Sequence, residues 1–546
     1  MYTCQGKIIQ PGLAIGPIKI LSSGSGISVS PVAIEDVEAE IGRFRNARST
    51  ATDELRTLSE KALADVGKSG SAIFEAYMLL LADEEYIVAV EKNILANHVN
   101  AEYAIDETSR ELEAVFSAID DEYIRARAVD MRDISSRLIR ILSGQKNEPG
   151  YAKDLTQPVI LYADELSPVD ILQLNRNMLL GLVTRSGSTN SHAAILARSL
   201  EIPALFGIET DRLSDMIPAA LDAYLGTLTI DPDRETLRML EQKKQSLAHQ
   251  NRLLQELKGQ PSVTKDGHFI SLYANISGQN GAENALSNDA EGIGLLRTEF
   301  LYLESADYPS EETQFQAYKK VAETMAPRKV IIRTLDIGAD KQTGYFKLKK
   351  EENPALGLRG IRVCLTRPQL FKTQLRALYR AGVYGQIAIM FPMITSVEEL
   401  VSIKKIAAEV RLELSEEKIP YQEPEMGIMI ETPAAVMISD LLAEEADFFS
   451  IGSNDLTQYT LAIDRQNESL DAFYDPHHEA LLRMLRLVTE NAHKANIRVG
   501  ICGELAADQS LTETFLRMGI DELSVSPSQI LPLRRKIRET DLSHYN

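Results

Sequence analysis

Asp447-Phe-Phe-Ser-Ile-Gly-Ser-Asn-Asp-Leu-Thr-Gln-Tyr-Thr-Leu-Ala-Ile-Asp-Arg465 is the stretch on which the reading of this chain turns. Phe448 to Ile451 is a short apolar run of the kind that forms a buried strand, and Gly452 breaks it. Beyond the break stand an amide (Asn454), a carboxylate (Asp455) and, after one helical-looking segment, a guanidinium (Arg465). A carboxylate suits a hard cation such as Mg²⁺, and an amide with a planar guanidinium suits phosphate oxygens. The stretch therefore places an oxyanion-and-metal ligand set at the C-terminal end of a strand.

The same unit recurs on both sides. Strands are expected at Leu272 to Ile276, Gly292 to Leu296, Val330 to Thr334, Ile387 to Pro392, Gly427 to Ile430, Phe448 to Ile451, Val499 to Ile501 and Glu522 to Val525, with helical patterns between them. Eight βα repeats predict a (β/α)8 TIM barrel over 261–546, whose chemistry belongs at the C-terminal ends of its strands. Arg297, Arg333, Glu431, Asn454, Asp455 and Cys502 all fall at or just past such an end.

Before the barrel the chain changes character several times. Residues 1–30 are punctuated by Gly, Pro and Ser around β-like pieces such as Gly16 to Leu21. Residues 34–145 nearly lack Gly and Pro and carry apolar residues at helical spacing, among them Ile73, Tyr77, Leu80 and Leu81, so this segment is expected to be all-α. After Pro149-Gly150, strands are expected at Val159 to Tyr162, Leu180 to Val183, Ala204 to Gly207 and Tyr224 to Ile230. The expected organisation is a split α/β domain (1–30 plus 148–232) with an inserted helical domain (34–145), a linker helix (233–260) and the barrel. Leu240, Leu247 and Leu254 in the linker are seven apart, which a helix packed on a neighbour explains as well as a coiled coil does.

Composition narrows the function class. The 546 residues carry a formal charge of -21, which argues against nucleic acid or an anionic membrane surface as partner. No apolar run approaches the roughly 18 residues of a membrane span, and Met1-Tyr-Thr-Cys-Gln-Gly-Lys7 has no signal-peptide pattern. The three cysteines, Cys4, Cys364 and Cys502, show no CxxC pairing. A reduced, cytoplasmic enzyme is expected.

Gly187-Ser-Thr-Asn-Ser-His192-Ala-Ala-Ile-Leu-Ala-Arg198 reads as a strand-to-loop-to-helix passage. Asn190 or Ser191 can cap the helix and leave His192 in its first turn, where free backbone N–H groups favour a phosphorylated imidazole. Neutral imidazole is also a competent nucleophile near pH 7. The remaining histidines lack such a setting, and His477-His478 is expected to be solvated.

These stretches, together with Gly294-Leu-Leu-Arg297-Thr-Glu-Phe, Ile332-Arg333-Thr-Leu-Asp-Ile-Gly, Ile430-Glu431-Thr-Pro-Ala-Ala, Gly500-Ile-Cys502-Gly-Glu-Leu-Ala and the helical Asp121-to-Ile134 segment, resemble the PEP-utilising enzymes. The resemblance covers essentially the whole chain and is to the enzyme I family of the bacterial sugar phosphotransferase system. Ser188 and Asn190 stand where that family's phosphohistidine loop has Gly and Thr. The resemblance implies that phosphoenolpyruvate (PEP) phosphorylates His192, that the phosphoryl group passes to the carrier protein HPr, that pyruvate leaves, and that the chain dimerises through the barrel. It implies further that Arg297, Arg333, Arg465 and Asn454 hold PEP, that Glu431 and Asp455 hold Mg²⁺, and that Cys502 protonates the enolate. Lys341 and Arg359 are further candidates for reaching substrate, Ser167 for orienting the His192 ring, and Cys364 reads as core filler.

Two alternatives remain open on sequence. An ATP-dependent PEP enzyme of the pyruvate phosphate dikinase or PEP synthase type shares these domains, but the helical insertion is short for an ATP-binding domain and carries no Gly-rich loop. A non-catalytic regulatory paralogue should have lost site residues, and every named position is filled.

Overall fold

The computed structural model describes residues 1–21, 29–65, 68–117, 122–144, 155, 157–187, 191–210, 212–303, 305, 307–339, 344–349, 351–465 and 467–543. Ser188, Asn190 and Lys341 therefore lie outside the described residues. The chain divides into two compact units, Met1–Ala248 and His249–Asn546.

In the first unit, β1 (Tyr2–Gln5), β2 (Lys7–Gln10), β3 (Leu13–Leu21), β4 (Val159–Ala163), β5 (Leu179–Thr184), β6 (Ala204–Phe206), β7 (Pro218–Asp222) and β8 (Thr227–Ile230) form one sheet. Its order is β1-β8-β7-β3-β4-β5-β6-β2, so the N-terminal strands pair with strands that follow the helical segment. β3, β4, β5 and β6 are parallel, which puts their C-terminal ends on one side. The segment between β3 and β4 forms α1 (Val37–Asp65), α2 (Lys68–Leu81), α3 (Glu84–Asn97), α4 (Ala101–Ser117) and α5 (Glu122–Leu142). Phe44, Leu55, Phe74, Tyr77, Ile94 and Leu138 from these helices join Leu161, Leu182, Leu196 and Phe206 in one apolar cluster.

The strand expected from Tyr224 to Ile230 is instead the second arm of a hairpin. Asp222 Oδ1 accepts from the backbone N–H groups of Tyr224 (3.1 Å) and Leu225 (3.3 Å), and Gly226 takes φ +71°. A carboxylate that bonds two residues ahead and a glycine in the left-handed region make a turn, so only Thr227–Ile230 pairs, against Pro218–Asp222. The expected linker helix spans Arg234–Gln255 and contains no buried residue.

The second unit is the expected barrel. β9 (Ser271–Ile276), β10 (Gly292–Leu296), β11 (Val330–Arg333), β12 (Ile387–Phe391), β13 (Glu425–Ile430), β14 (Phe448–Ile451), β15 (Arg498–Ile501) and β16 (Glu522–Val525) close into one parallel ring. Every strand coincides with an expected one to within about two residues. Continuous apolar runs such as Ile387–Phe391 are buried along their whole length because helices cover the outside and side chains fill the inside. Tyr273, Leu295, Ile331, Ala388, Met390, Met429, Phe448 and Cys502 form the interior cluster, separate from the large core between strands and helices.

Candidate active site

The barrel site is assembled by strand ends that stop abruptly. β13 ends at Ile430, Glu431 follows, and Thr432 caps the next helix by accepting from Ala435 N, with Pro433 at its first position. That sequence turns the chain outward while Glu431 stays inside, fully buried. β14 ends at Ile451, and the helix Ser453–Leu461 starts directly after Gly452, with Asn454 and Asp455 in its first turn. A Cβ on Gly452 would lie 2.8 Å from Glu431 Oε2, so the glycine lets this backbone approach the carboxylate. The helix ends at Ala462 in the left-handed conformation, and Arg465 N is held by Gln458 Oε1 at 3.2 Å.

Charges alternate across the barrel mouth. Arg333 binds Glu299 Oε1 at 3.1 Å and Asp336 Oδ2 at 3.0 Å; Arg359 binds the same Asp336 at 3.0 Å and stands 3.9 Å from Asp455 Oδ1. Arg465 approaches the same oxygen of Asp455 at 3.8 Å. Burial works against the Arg333 charge, but Glu299, Asp336, Glu431 and Asp455 overcome it and hold the guanidinium ionised. Burial, then the charges of Asp455 and Asp336, push Glu431 up to about 8. Glu431 Oε1 accepts from Met393 N at 2.6 Å, whereas Glu431 Oε2 and Asp455 Oδ1 are buried without a hydrogen-bond partner. Two inward carboxyl oxygens thus lack a hydrogen bond, and the one on Asp455 has only the longer approaches of Arg359 and Arg465.

Cys502 follows β15 and is 4% exposed; its Sγ faces Ile451 O at 3.6 Å. Burial pushes its thiol up to about 12, with the neighbouring Ser450 hydroxyl acting in the opposite direction. The thiol is therefore protonated at neutral pH. Cys364 is also buried, in the helix Ile361–Thr366, and burial raises its pKa too; it packs in the core.

Thus Arg333, Glu431, Asp455, Arg465 and Cys502 come together at this end of the barrel, and Arg359 joins them. Arg297 follows β10 at the same end but is exposed, its Nη1 3.4 Å from Ser277 Oγ. Asn454 is tied to the neighbouring loop: its Oδ1 accepts from Glu504 N (2.9 Å) and its Nδ2 donates to Glu504 Oε1 (3.3 Å). Asp336 and Glu299 were not anticipated. Their signal was available, an acid two or three residues beyond a strand-end arginine in Arg297-Thr-Glu and Arg333-Thr-Leu-Asp.

In the first unit, Ser191 caps the helix His192–Ser199 by accepting from Ala194 N at 3.2 Å, and His192 occupies the first position of that helix. Its ring partner is not Ser167. The Ser167 hydroxyl donates to Asp170 (2.9 Å) and caps its own helix, Pro168–Gln173. His192 Nδ1 instead lies 3.2 Å from Asp130 Oδ1 on α5, an oxygen that also accepts from the Tyr77 hydroxyl at 3.2 Å. Asp133 sits one turn on; burial, then Asp170, push it up to about 7. The signal for Asp130 was a carboxylate on a helix otherwise contributing Met131, Ile134 and Leu138 to the core. His477 and His478 are not merely solvated: His477 Nε2 meets Asp508 at 2.5 Å, and His478 Nδ1 caps the helix Glu479–Lys494.

Known proteins place this arrangement. The description "PEP-utilising enzyme, PEP-binding domain" matches residues 251–542, "PEP-utilising enzyme, N-terminal" residues 5–127, and "PEP-utilising enzyme, mobile domain" residues 155–226. The fold is that of a PEP-utilising enzyme. The phosphoenolpyruvate-protein phosphotransferase of Bacillus subtilis (strain 168) is 42% identical over 540 residues, covering 98% of this chain and 94% of its own. That of Priestia megaterium is 40% identical over 539 residues, covering 98% and 93%. An enzyme I solution structure (nEIt) matches 45% of this chain and 99% of its own at 34% identity and TM-score 0.38. The chain belongs to the phosphoenolpyruvate-protein phosphotransferase family.

Proposed function

We propose that this enzyme divides its chemistry between its two units: the barrel mouth binds PEP, and His192 takes the phosphoryl group and hands it to HPr. The observation that carries the barrel half is the pair of buried, unpartnered oxygens, Glu431 Oε2 and Asp455 Oδ1, among arginines. They fit Mg²⁺, which takes one or two carboxylates and fills its remaining positions with water and substrate oxygens. Among the described residues no cluster of three or more metal-ligating side chains occurs. When bound, the cation supplies charge neutralisation for phosphate oxygens during transfer.

Arg297, Arg333 and Arg465 bind phosphate and carboxylate oxygens, their planar forks suiting oxyanions better than lysine does. Asn454 orders the loop at Glu504 and presents the helix N-terminus to the phosphate. Asp130 holds Nδ1 of His192 and leaves Nε2 with its lone pair free to attack. The phosphorus–oxygen bond of PEP breaks as the phosphorus–nitrogen bond forms, leaving pyruvate enolate, and the Cys502 thiol gives its proton to the enolate carbon.

A homodimer through the barrel unit belongs to the same reading; Met437 and Leu441 on its consecutive short helices are exposed. No helix among the described residues is long and apolar enough to cross a membrane. A cytoplasmic enzyme fits these features.

The test is to incubate the protein with labelled PEP and Mg²⁺ and look for acid-labile, base-stable phosphate. His192→Ala should abolish labelling while PEP still binds. Label retained on another histidine would remove His192 from the mechanism.

A further inference from the structure

The barrel interior holds a carboxyl group that phosphoryl transfer does not use. Glu522 is the first residue of β16 and only 9% exposed, and it points inward: a Cβ on Gly294, across β9, would lie 2.6 Å from its Oε1. Strand register connects it to the enolate side of the site. Ser450 pairs with Gly500 and Gly500 with Glu522, so the three lie in one row across β14, β15 and β16. Gly500 has no side chain, and a cavity of about 30 Å³ opens between Ser450 and Glu522. That volume takes one water. Ser450 lines the cavity, is 2% exposed, and its Oγ has no hydrogen-bond partner. Cys502 lies two residues beyond Gly500, on the same inward face, with Cα atoms about 6.6 Å apart at strand spacing.

The outer end of the cavity reaches solvent at the N-terminal mouth of the barrel. Lys329 is paired there with Glu425 at 2.5 Å, and Glu425 is half exposed. Arg498 donates to Ser271 Oγ at 2.9 Å, and Asp447 accepts from Met426 N at 2.6 Å. Asp521, behind the row, accepts from Val499 N and His493. Burial pushes the Glu522 carboxyl up to about 7; Arg498 and Lys329 oppose the shift and Asp521 adds to it. The acid thus keeps its proton more readily than an exposed carboxyl does.

We propose that Glu522 reloads the Cys502 thiol through the Gly500 cavity, forming a proton route from the N-terminal mouth to the buried sulfur. This rests on the reading of Cys502 as the acid that protonates the enolate. In that step the S–H bond breaks, a C–H bond forms at the enolate carbon, and the electron pair stays on sulfur. A thiolate at this site is costly, because burial foremost, with the charges of Glu431 and Glu522 adding to it, raises the thiol to about 12. The sulfur takes a proton from the Ser450 hydroxyl, which takes one from cavity water, which takes one from the Glu522 carboxylic acid. Glu522 recovers its proton from solvent past Lys329 and Glu425. No electrons change hands.

The experiment uses the full chain with Mg²⁺ and PEP in D2O, following two rates: labelling of the enzyme with phosphate and entry of deuterium into the methyl group of pyruvate. Glu522→Gln should slow deuterium entry about 100-fold relative to labelling, the size of a lost proton-transfer group at its low end. Ser450→Ala, which removes only the hydroxyl and adds no bulk, should do the same and serves if Glu522→Gln does not fold. A merely structural role would move both rates together. An unchanged ratio in both variants, with Cys502→Ala blocking deuterium entry, overturns the reloading route and keeps Cys502. Deuterium entry unchanged in Cys502→Ala overturns the Cys502 reading itself.

Discussion

Asp130→Asn isolates the contact that joins the helical segment to His192, the proposed phosphoryl acceptor. Asp130 Oδ1 is 3.2 Å from His192 Nδ1, and its side chain is only 13% exposed, so little water is available to replace it. The carboxylate can only accept, which requires the proton on Nδ1 and leaves Nε2 as nucleophile. The amide of the variant can also donate, which allows the opposite tautomer. A hydrogen bond to a charged group contributes about 1.5–3 kcal/mol. If that contribution is lost in the transition state, phosphorylation slows roughly 10- to 150-fold. The assay is single-turnover transfer from labelled PEP, with PEP affinity measured separately and ring nitrogen shifts reporting the tautomer. PEP affinity should hold, since its proposed ligands all follow residue 290 in the other unit. A rate within twofold of the parent, or an unchanged tautomer, would refute the positioning role.

Asp133→Asn should stabilise the protein in a pH-dependent way. Its folded pKa of about 7 exceeds the ordinary carboxyl value, so the native state is favoured while this group is protonated and loses that advantage as pH rises toward 7. The gain in melting temperature should therefore grow from pH 5 to pH 8 and then level off; a gain independent of pH would contradict the burial argument. Asp455→Ala should lower Mg²⁺-dependent turnover at least about 100-fold while shifting thermal stability little, because the carboxylate packs against charges and not against the core. Near-normal turnover at ordinary Mg²⁺ would take Asp455 out of the metal site. A fragment ending near Gly259 should accept phosphate from phospho-HPr on His192 but none from PEP; PEP-dependent labelling of that fragment would dissolve the proposed division between units.

Much of this protein is written in local pattern. Eight apolar runs of strand length, separated by helical periodicity, leave few arrangements other than a barrel, because parallel strands buried on both faces need helices between them. The same logic put Arg333, Glu431, Asp455 and Cys502 at one end, since residues just past parallel strands gather at the C-terminal end of a barrel. What local pattern could not supply was partnership across sequence distance. Asp130 reaches His192 over 62 residues, and Asp336 is shared by Arg333 and Arg359, because helix packing and strand order bring them together. Ser167 shows the converse: its hydroxyl is captured by Asp170 three residues on, since a local hydrogen bond costs less ordering than a distant one. The alignment of Ser450, Gly500 and Glu522 is likewise a matter of register between strands, visible only once the barrel has closed. The sequence determined the kinds of element and the end of the barrel that carries charge; the tertiary structure decided which charges face one another, because that depends on contacts no local segment contains.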